Sequence, residues 1–175
     1  MPKSVRPGRY LVTGVAGSGK STLEKLFRAK GYITADIDDG FTQWRHAETD
    51  EVLAYTPDED GWHEVAEWVV DTDKLQAFFD THAEDTVLIF GSFARMNTVV
   101  GMFTKLFLLE YPNEQVVHRR IATRDGGYGK HPGELQRILS YVQPYQDKMK
   151  QAGAQPIDCT LPLDEVADII ERSVL

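Results

Sequence analysis

The chain has 175 residues, 42% of them hydrophobic and 26% charged, which is enough apolar material for one globular domain with its own core. A formal net charge of −8 offers no overall attraction to nucleic acid or to an anionic membrane, and the apolar runs at 87–90 and 106–109 are far too short to span one. The single cysteine, Cys159, excludes an internal disulfide and a cysteine-built zinc cluster; residues 1–8 lack the apolar stretch of a secretory signal, so the cytoplasm is the expected compartment.

The first predicted element is a buried strand at Tyr10-Leu11-Val12. It runs into Gly14-Val15-Ala16-Gly17-Ser18-Gly19-Lys20-Ser21 and then, from Thr22, into a helix over 22–30 with Leu23, Leu26 and Phe27 at helical spacing. The spacing G-x-x-x-x-G-K-[ST] between a strand and a helix is that of a phosphate-binding loop. Backbone without side chains curls around the phosphates, its N–H groups and the helix dipole supply positive charge, and Gly14 to Thr22 form the nucleotide site. Lys20 is placed to reach the β- and γ-phosphates and the Ser21 hydroxyl to ligate Mg²⁺.

Gly31 closes the helix, and a short strand over 32–35 ends in Asp36-Ile37-Asp38-Asp39, so carboxylates gather at a strand's carboxyl end. No clear strand is visible between 40 and 84. Residues 41–48 and 62–79 read as mostly helical, separated by an acidic turn around Pro57, and the segment is predicted to be a helical insertion that binds the acceptor. Between 41 and 84 twelve acidic residues face only Arg45 and Lys74, so the lobe repels polyanions and a nucleic-acid partner is not expected. Trp44, Trp62 and Trp68 in the same lobe suit either a small core or flat faces for a base or a cation.

A third strand over 86–90 ends at Gly91-Ser92-Phe93-Ala94-Arg95, and a fourth over 105–110 ends at Tyr111-Pro112. Asn113 is placed to cap a helix over 114–124, which stops at the glycine-rich segment 125–133, a short lid loop. The next helix sets Leu135, Ile138, Leu139, Val142 and Met149 on one side, with Pro144 expected to bend it. A fifth strand over 156–160 and a last helix through Val166, Ile169 and Ile170 complete the chain. The alternation predicts an α/β fold: a five-stranded parallel sheet with helices on both faces and ligands at the strands' carboxyl ends.

Arg120 and Arg124, four residues apart, share a helix face beside the lid loop, where fixed cations suit the charge that spreads over a transferring phosphoryl group. Arg119, Lys130 and His131 are secondary candidates.

With these elements the chain resembles the small P-loop kinases of the adenylate kinase and shikimate kinase group, over nearly its whole length in element order. Arg120-Ile121-Ala122-Thr123-Arg124 with the glycine-rich run after it is similar to the start of the adenylate kinase lid. Leu109-Glu110-Tyr111-Pro112-Asn113-Glu114 is similar to the strand and proline before it. Ser92-Phe93-Ala94-Arg95 is similar to the G-F-P-R segment of the same enzymes, which implies that Arg95, with Arg45 as a further contact, binds the acceptor. Asp36-Ile37-Asp38 resembles the D-x-D of shikimate kinases, which implies that Asp36 organises Mg²⁺ and Asp38 orients or deprotonates an accepting hydroxyl. Both side chains of an extended D-x-D point to one side. The chain departs from adenylate kinases at Gly91, where their Walker B aspartate would fall. It departs from shikimate kinases in lacking their longer glycine run and R-P-L-L lid. The resemblance implies an ATP- and Mg²⁺-dependent phosphotransferase acting on a small molecule, through a hydroxyl or a nucleoside monophosphate. The alternatives are a nucleotide-binding regulatory NTPase, for which the missing Walker B aspartate argues, and a nucleic-acid 5′-end kinase, for which no basic track exists.

Overall fold

The sheet strands alternate between two buried faces, and this period of two builds the fold. In β1 (Gly8–Thr13), β5 (Thr86–Phe90) and β6 (Lys105–Glu110), Tyr10, Val12, Leu88, Phe90, Phe107 and Leu109 enter one core, while Leu11, Val87, Ile89, Leu106 and Leu108 enter the other. The computed structural model describes residues 7–56, 60–123, 125, 129 and 132–175. Helices α1 (Lys20–Ala29), α4 (Glu114–Thr123) and α6 (Leu163–Val174) cover the first face through Phe27, Ile121 and Ile170. Helix α3 (Thr72–Thr81) covers the second through Leu75 and Phe79. The long α5 (Pro132–Gln151) serves both, with Ile138 and Val142 in the first core and Met149 in the second, and it contains Pro144.

With β2 (Ile33–Asp36) and β7 (Gln155–Asp158) the main sheet is parallel throughout, in the order β2-β5-β1-β6-β7. The chain leaves the central β1 for the edge strand β2 on one side, then returns to build β6 and β7 on the other. Such a reversal opens a crevice at the carboxyl ends of the strands, and Gly14, Asp36 and Gly91 all stand there. The strands predicted over 86–90 and 105–110 are observed at those limits, and Asn113 caps α4 by accepting from the Val116 N–H at 3.1 Å.

The insertion is not helical. Residues 42–46 form β3 (Thr42–His46) and residues 66–70 form β4 (Ala66–Val70), an antiparallel pair with Trp44 opposite Trp68 and Arg45 opposite Glu67. Among the described residues the only helix before β4 in this segment is the single turn α2 (Trp62–Val65). The helix predicted over 62–79 is correct in the single turn α2 and in α3 but not at β4 between them, and the start of α3 is fixed by Asp71 accepting from the Lys74 N–H at 3.1 Å. Aromatic and β-branched residues at Thr42, Trp44, Trp68, Val69 and Val70 fit a pleated surface. Each run is so short that helical and strand spacings coincide, and the partner strand lies some twenty residues away. Pro57, Asp58 and Glu59 lie outside the described residues, as do Arg124, Lys130, His131 and the 126–128 part of the lid segment. No described helix is long and apolar enough to cross a membrane.

Candidate active site

The phosphate loop closes around its own side chains. Val15 is buried in the core and Ser18 is almost fully enclosed, so their backbone is what they offer, whereas Ala16, Gly17, Gly19, Lys20, Ser21 and Thr22 line an open cavity of about 900 Å³. Gly17 has φ 77°, and a Cβ there would stand 2.8 Å from the Tyr111 hydroxyl, which itself donates to the Ala16 carbonyl at 3.0 Å. The turn therefore needs glycine on two counts. Lys20 begins α1 and folds over the loop, its Nζ donating to the Gly14 carbonyl at 2.5 Å, the Val15 carbonyl at 3.0 Å and Ser18 Oγ at 3.4 Å. These neutral acceptors hold the ammonium where a phosphate oxygen, a stronger charged acceptor, can take it over.

Asp36 ends β2 and Asp38 lies in the turn beyond, yet both line the same cavity. They are tied together, since the Asp38 N–H donates to Asp36 Oδ1 at 3.0 Å, and Trp68 Nε1 donates to Asp38 Oδ1 at 2.7 Å. Burial raises the Asp36 pKa above the usual carboxylate value, and the Asp38 and Asp39 charges add to that. The Asp38 N–H and Lys20 oppose it. A raised carboxylate pKa means that the ionised form costs folding stability above the folded pKa, a cost that disappears as the pH falls through it. Asp36→Asn keeps the oxygen that accepts from Asp38. We therefore expect the ligand-free variant to melt above the parent at pH 7, with the gap closing towards pH 4, in paired thermal denaturation; a variant that melts lower at pH 7 would refute the assignment.

At Gly91 the backbone has φ 149°, and a Cβ there would stand 2.1 Å from Ile37 Cγ2. No carboxylate can stand there without moving the turn that carries Asp36 and Asp38, so position 91 and the D-x-D segment exclude one another's side chains. Ser21 and Asp36 line the cavity beside the phosphate loop, with Thr22 and Asp38 next to them, and one or two such oxygens fit Mg²⁺, a cation that takes its remaining ligands from phosphates and water. Among the described residues no three or more His, Cys, Asp or Glu groups gather into a metal cage.

Of the predicted arginines, Arg45, Arg95 and Arg120 are engaged by other groups of the protein. Arg120 does not line the cavity: its Nη2 donates to the Cys159 carbonyl at 2.6 Å and its Nη1 to the Gly17 carbonyl at 3.4 Å, so it braces the phosphate loop against the end of β7. Arg45 donates to the carbonyl and carboxylate of Asp50 at 2.7 and 3.1 Å, away from the cavity. Arg95 is enclosed by acceptors: Nε to Glu67 at 2.7 Å, Nη1 to Asp50 at 2.6 Å and Nη2 to the His46 carbonyl at 3.3 Å. Arg95 and Asp50 are the two non-glycine residues with positive φ among the described residues, at 54° and 62°, so two uncommon backbone turns meet in one ion pair.

Four residues that the sequence did not single out, with two of the tryptophans that it did, complete the cavity. From α5 come Arg137, Tyr141 and Tyr145, and from the hairpin arm Trp44, Tyr55 and Trp68. The α5 trio recurs every four residues, a spacing that puts them on one helix face and is readable in sequence once the helix is known to pass the site. Arg137 donates to the His63 carbonyl, joining α5 to the hairpin arm. Tyr145 bonds the buried Thr13 hydroxyl at the end of β1 at 2.5 Å, and burial raises its phenol far above the usual value, so it stays protonated. Burial likewise pushes the Cys159 thiol up to about 11, which rules it out as a nucleophile at neutral pH.

No family model and no curated protein matches this sequence. Solved structures do match in fold. A sugar kinase from Janibacter sp. superposes with a TM-score of 0.55 at 21% identity, covering 95% of this chain and 92% of that one. The fold is that of small P-loop kinases. A gluconokinase from Sinorhizobium meliloti aligns at TM-score 0.56 and 19% identity over 97% of this chain and 95% of that one. A shikimate kinase from Acinetobacter baumannii in complex with shikimate aligns at 0.60 and 12% over 96% and 93%. This chain spans nearly the full length of each of these proteins.

Proposed function

We propose that this protein transfers the γ-phosphoryl group of ATP to a hydroxyl of a small molecule, assisted by Mg²⁺. The observation that carries the reading is that the phosphate loop, the Asp36–Asp38 pair and the hairpin wall face one cavity of about 900 Å³, so donor site and acceptor chamber are continuous. The likeness to sugar, gluconate and shikimate kinases in fold supports it. In the transfer, a bond forms between the acceptor oxygen and the γ-phosphorus, the bond from that phosphorus to the β–γ bridging oxygen breaks, and the hydroxyl proton passes to Asp38. Trp68 holds Asp38 in place, and the carboxylate retains lone pairs for the hydroxyl. Lys20 stabilises the charge on the transferring group, with Arg124 as the lid-side cation. Mg²⁺, when bound, neutralises phosphate charge, and Ser21 and Asp36 are the residues that would hold it. The lid segment 125–133 and the hairpin arm would exclude water.

A hydroxyl acceptor is favoured over a nucleoside monophosphate because Arg95, the residue that the resemblance assigns to the acceptor phosphate, is already held by Glu67 and Asp50. The test is acceptor-dependent ADP release across sugars, amino sugars, sugar acids, shikimate-like alcohols and nucleoside monophosphates. Hydroxyl compounds should stimulate release and monophosphates should not. ATP hydrolysis that no acceptor accelerates would point instead to a regulatory NTPase.

A further inference from the structure

The hairpin gives the acceptor chamber an aromatic wall with a defined construction. Trp44 and Trp68 face each other across the strands with ring centroids 4.9 Å apart, and Tyr55 stacks on Trp44 at 6.0 Å with an interplanar angle of 18°. Trp62, buried, packs edge-on against both Trp44 and Tyr55 at 4.8 and 5.3 Å, and its indole N–H is held by the Ala54 carbonyl. Trp62 is the core of the arm, and the other three rings are thereby fixed as lining. Such ring faces carry negative electrostatic potential and attract a cation laid against them.

On the lining of the chamber carboxylates outnumber cations by three to two. Asp36, Asp38 and Glu67 line the cavity, while the cations on the lining are Lys20, which belongs to the phosphate loop, and Arg137 on α5. Arg95, the group best placed by resemblance to receive an anion, has all three nitrogens engaged, two of them by carboxylates. An acceptor bearing a carboxylate would meet the Asp38 charge and Glu67, which is shared with Arg95, and its arginine partner on the lining would be Arg137. An uncharged polyol could stack on the rings and donate hydroxyl hydrogen bonds to the carboxylates, but it would bring no countercharge to them.

We propose that the acceptor is a hydroxylated molecule carrying a protonated amine, an amino sugar or amino alcohol, whose ammonium rests against Trp44 and Trp68 between Asp38 and Glu67. The inference rests on the kinase reading above and narrows it. The neighbouring folds named for gluconate and shikimate kinases act on carboxylate-bearing acceptors, so the charge of this chamber departs from theirs.

The experiment uses the full chain with ATP and Mg²⁺ and two matched acceptor sets: glucosamine, glucose and glucuronate; serinol, glycerol and glycerate. Acceptor-dependent ADP release should favour the amine of a set over its neutral member by about tenfold or more in kcat/KM, the acid should be inactive, and N-acetylglucosamine should fall to the level of glucose. Glu67→Gln removes a wall carboxylate and half of the countercharge on Arg95, so it should narrow the amine-over-acid ratio by about tenfold, and Trp44→Leu should narrow the amine-over-neutral ratio. Should Trp44→Leu fail to fold, Glu67→Gln decides. Stimulation by neutral or acidic members at or above the amine, or an unchanged ratio in Glu67→Gln, overturns the cationic acceptor and leaves the kinase reading standing. Silence across all three charge classes, while tryptophan fluorescence shows that a non-hydrolysable ATP analogue binds, overturns both.

Discussion

Lys20→Ala should lower turnover by about 10²- to 10³-fold while leaving the fold intact. The size follows from removing one positioned positive group from the charge that develops during transfer. The survival of the fold follows from the groups that Lys20 now touches. Its Nζ bonds to the Gly14 and Val15 carbonyls and to Ser18 Oγ lie within the loop itself, and the glycine backbone is shaped by its own dihedral angles and by Tyr111 and Arg120. Steady-state ADP release beside a thermal melt separates the two effects. Retained activity in a folded variant would remove the phosphate loop from the chemistry, whereas loss of both activity and fold would make Lys20 a structural residue.

Asp38→Asn should lower kcat by about 10²- to 10⁴-fold, the range for a positioned base, with little change in ATP affinity. Asparagine has the same shape and still presents an oxygen to Trp68 Nε1, which Asp38 accepts at 2.7 Å, so the turn and the indole should hold their places. What the amide loses is the capacity to accept the hydroxyl proton and the negative charge beside the acceptor. ATP affinity measured by titration and kcat measured with a saturating acceptor test the two halves separately. An unchanged kcat would exclude Asp38 as the base, and a parallel loss of ATP affinity would move it to the donor site. Combining it with Lys20→Ala should give less than the product of the two losses, since both groups act on one transition state.

The hairpin arm shows why part of the site was hidden. Each of its strands is five residues long, too short for period to separate strand from helix, and Trp44 meets Trp68 only because the chain turns back between them. The same return carries Glu67 and Asp50 to Arg95. Their sequence separations from it are 28 and 45 residues, so no local pattern reports that the arginine is neutralised. Read along the chain, Arg95 is a free cation after a strand; in space it is the centre of an ion-pair cluster. Arg120 changed role for a similar reason: the Cys159 carbonyl that fixes it is 39 residues away.

Other features were local and therefore legible. The phosphate loop is one contiguous motif whose glycines, lysine and flanking elements are dictated by backbone sterics within a few residues. The strands at 86–90 and 105–110 are unbroken apolar runs, which a doubly covered parallel sheet requires. Sequence alone thus determined the phosphate-loop turn and the layered α/β sheet, because both depend on short-range geometry and on hydrophobic patterning. Tertiary structure decided the opposite wall of the cavity: the aromatic rings, the engagement of Arg95, and the close packing of Gly91 on Ile37 beside Asp36 and Asp38. Those outcomes depend on which distant side chains meet, and a pairwise charge or packing contact leaves no signature in either partner's neighbours along the chain.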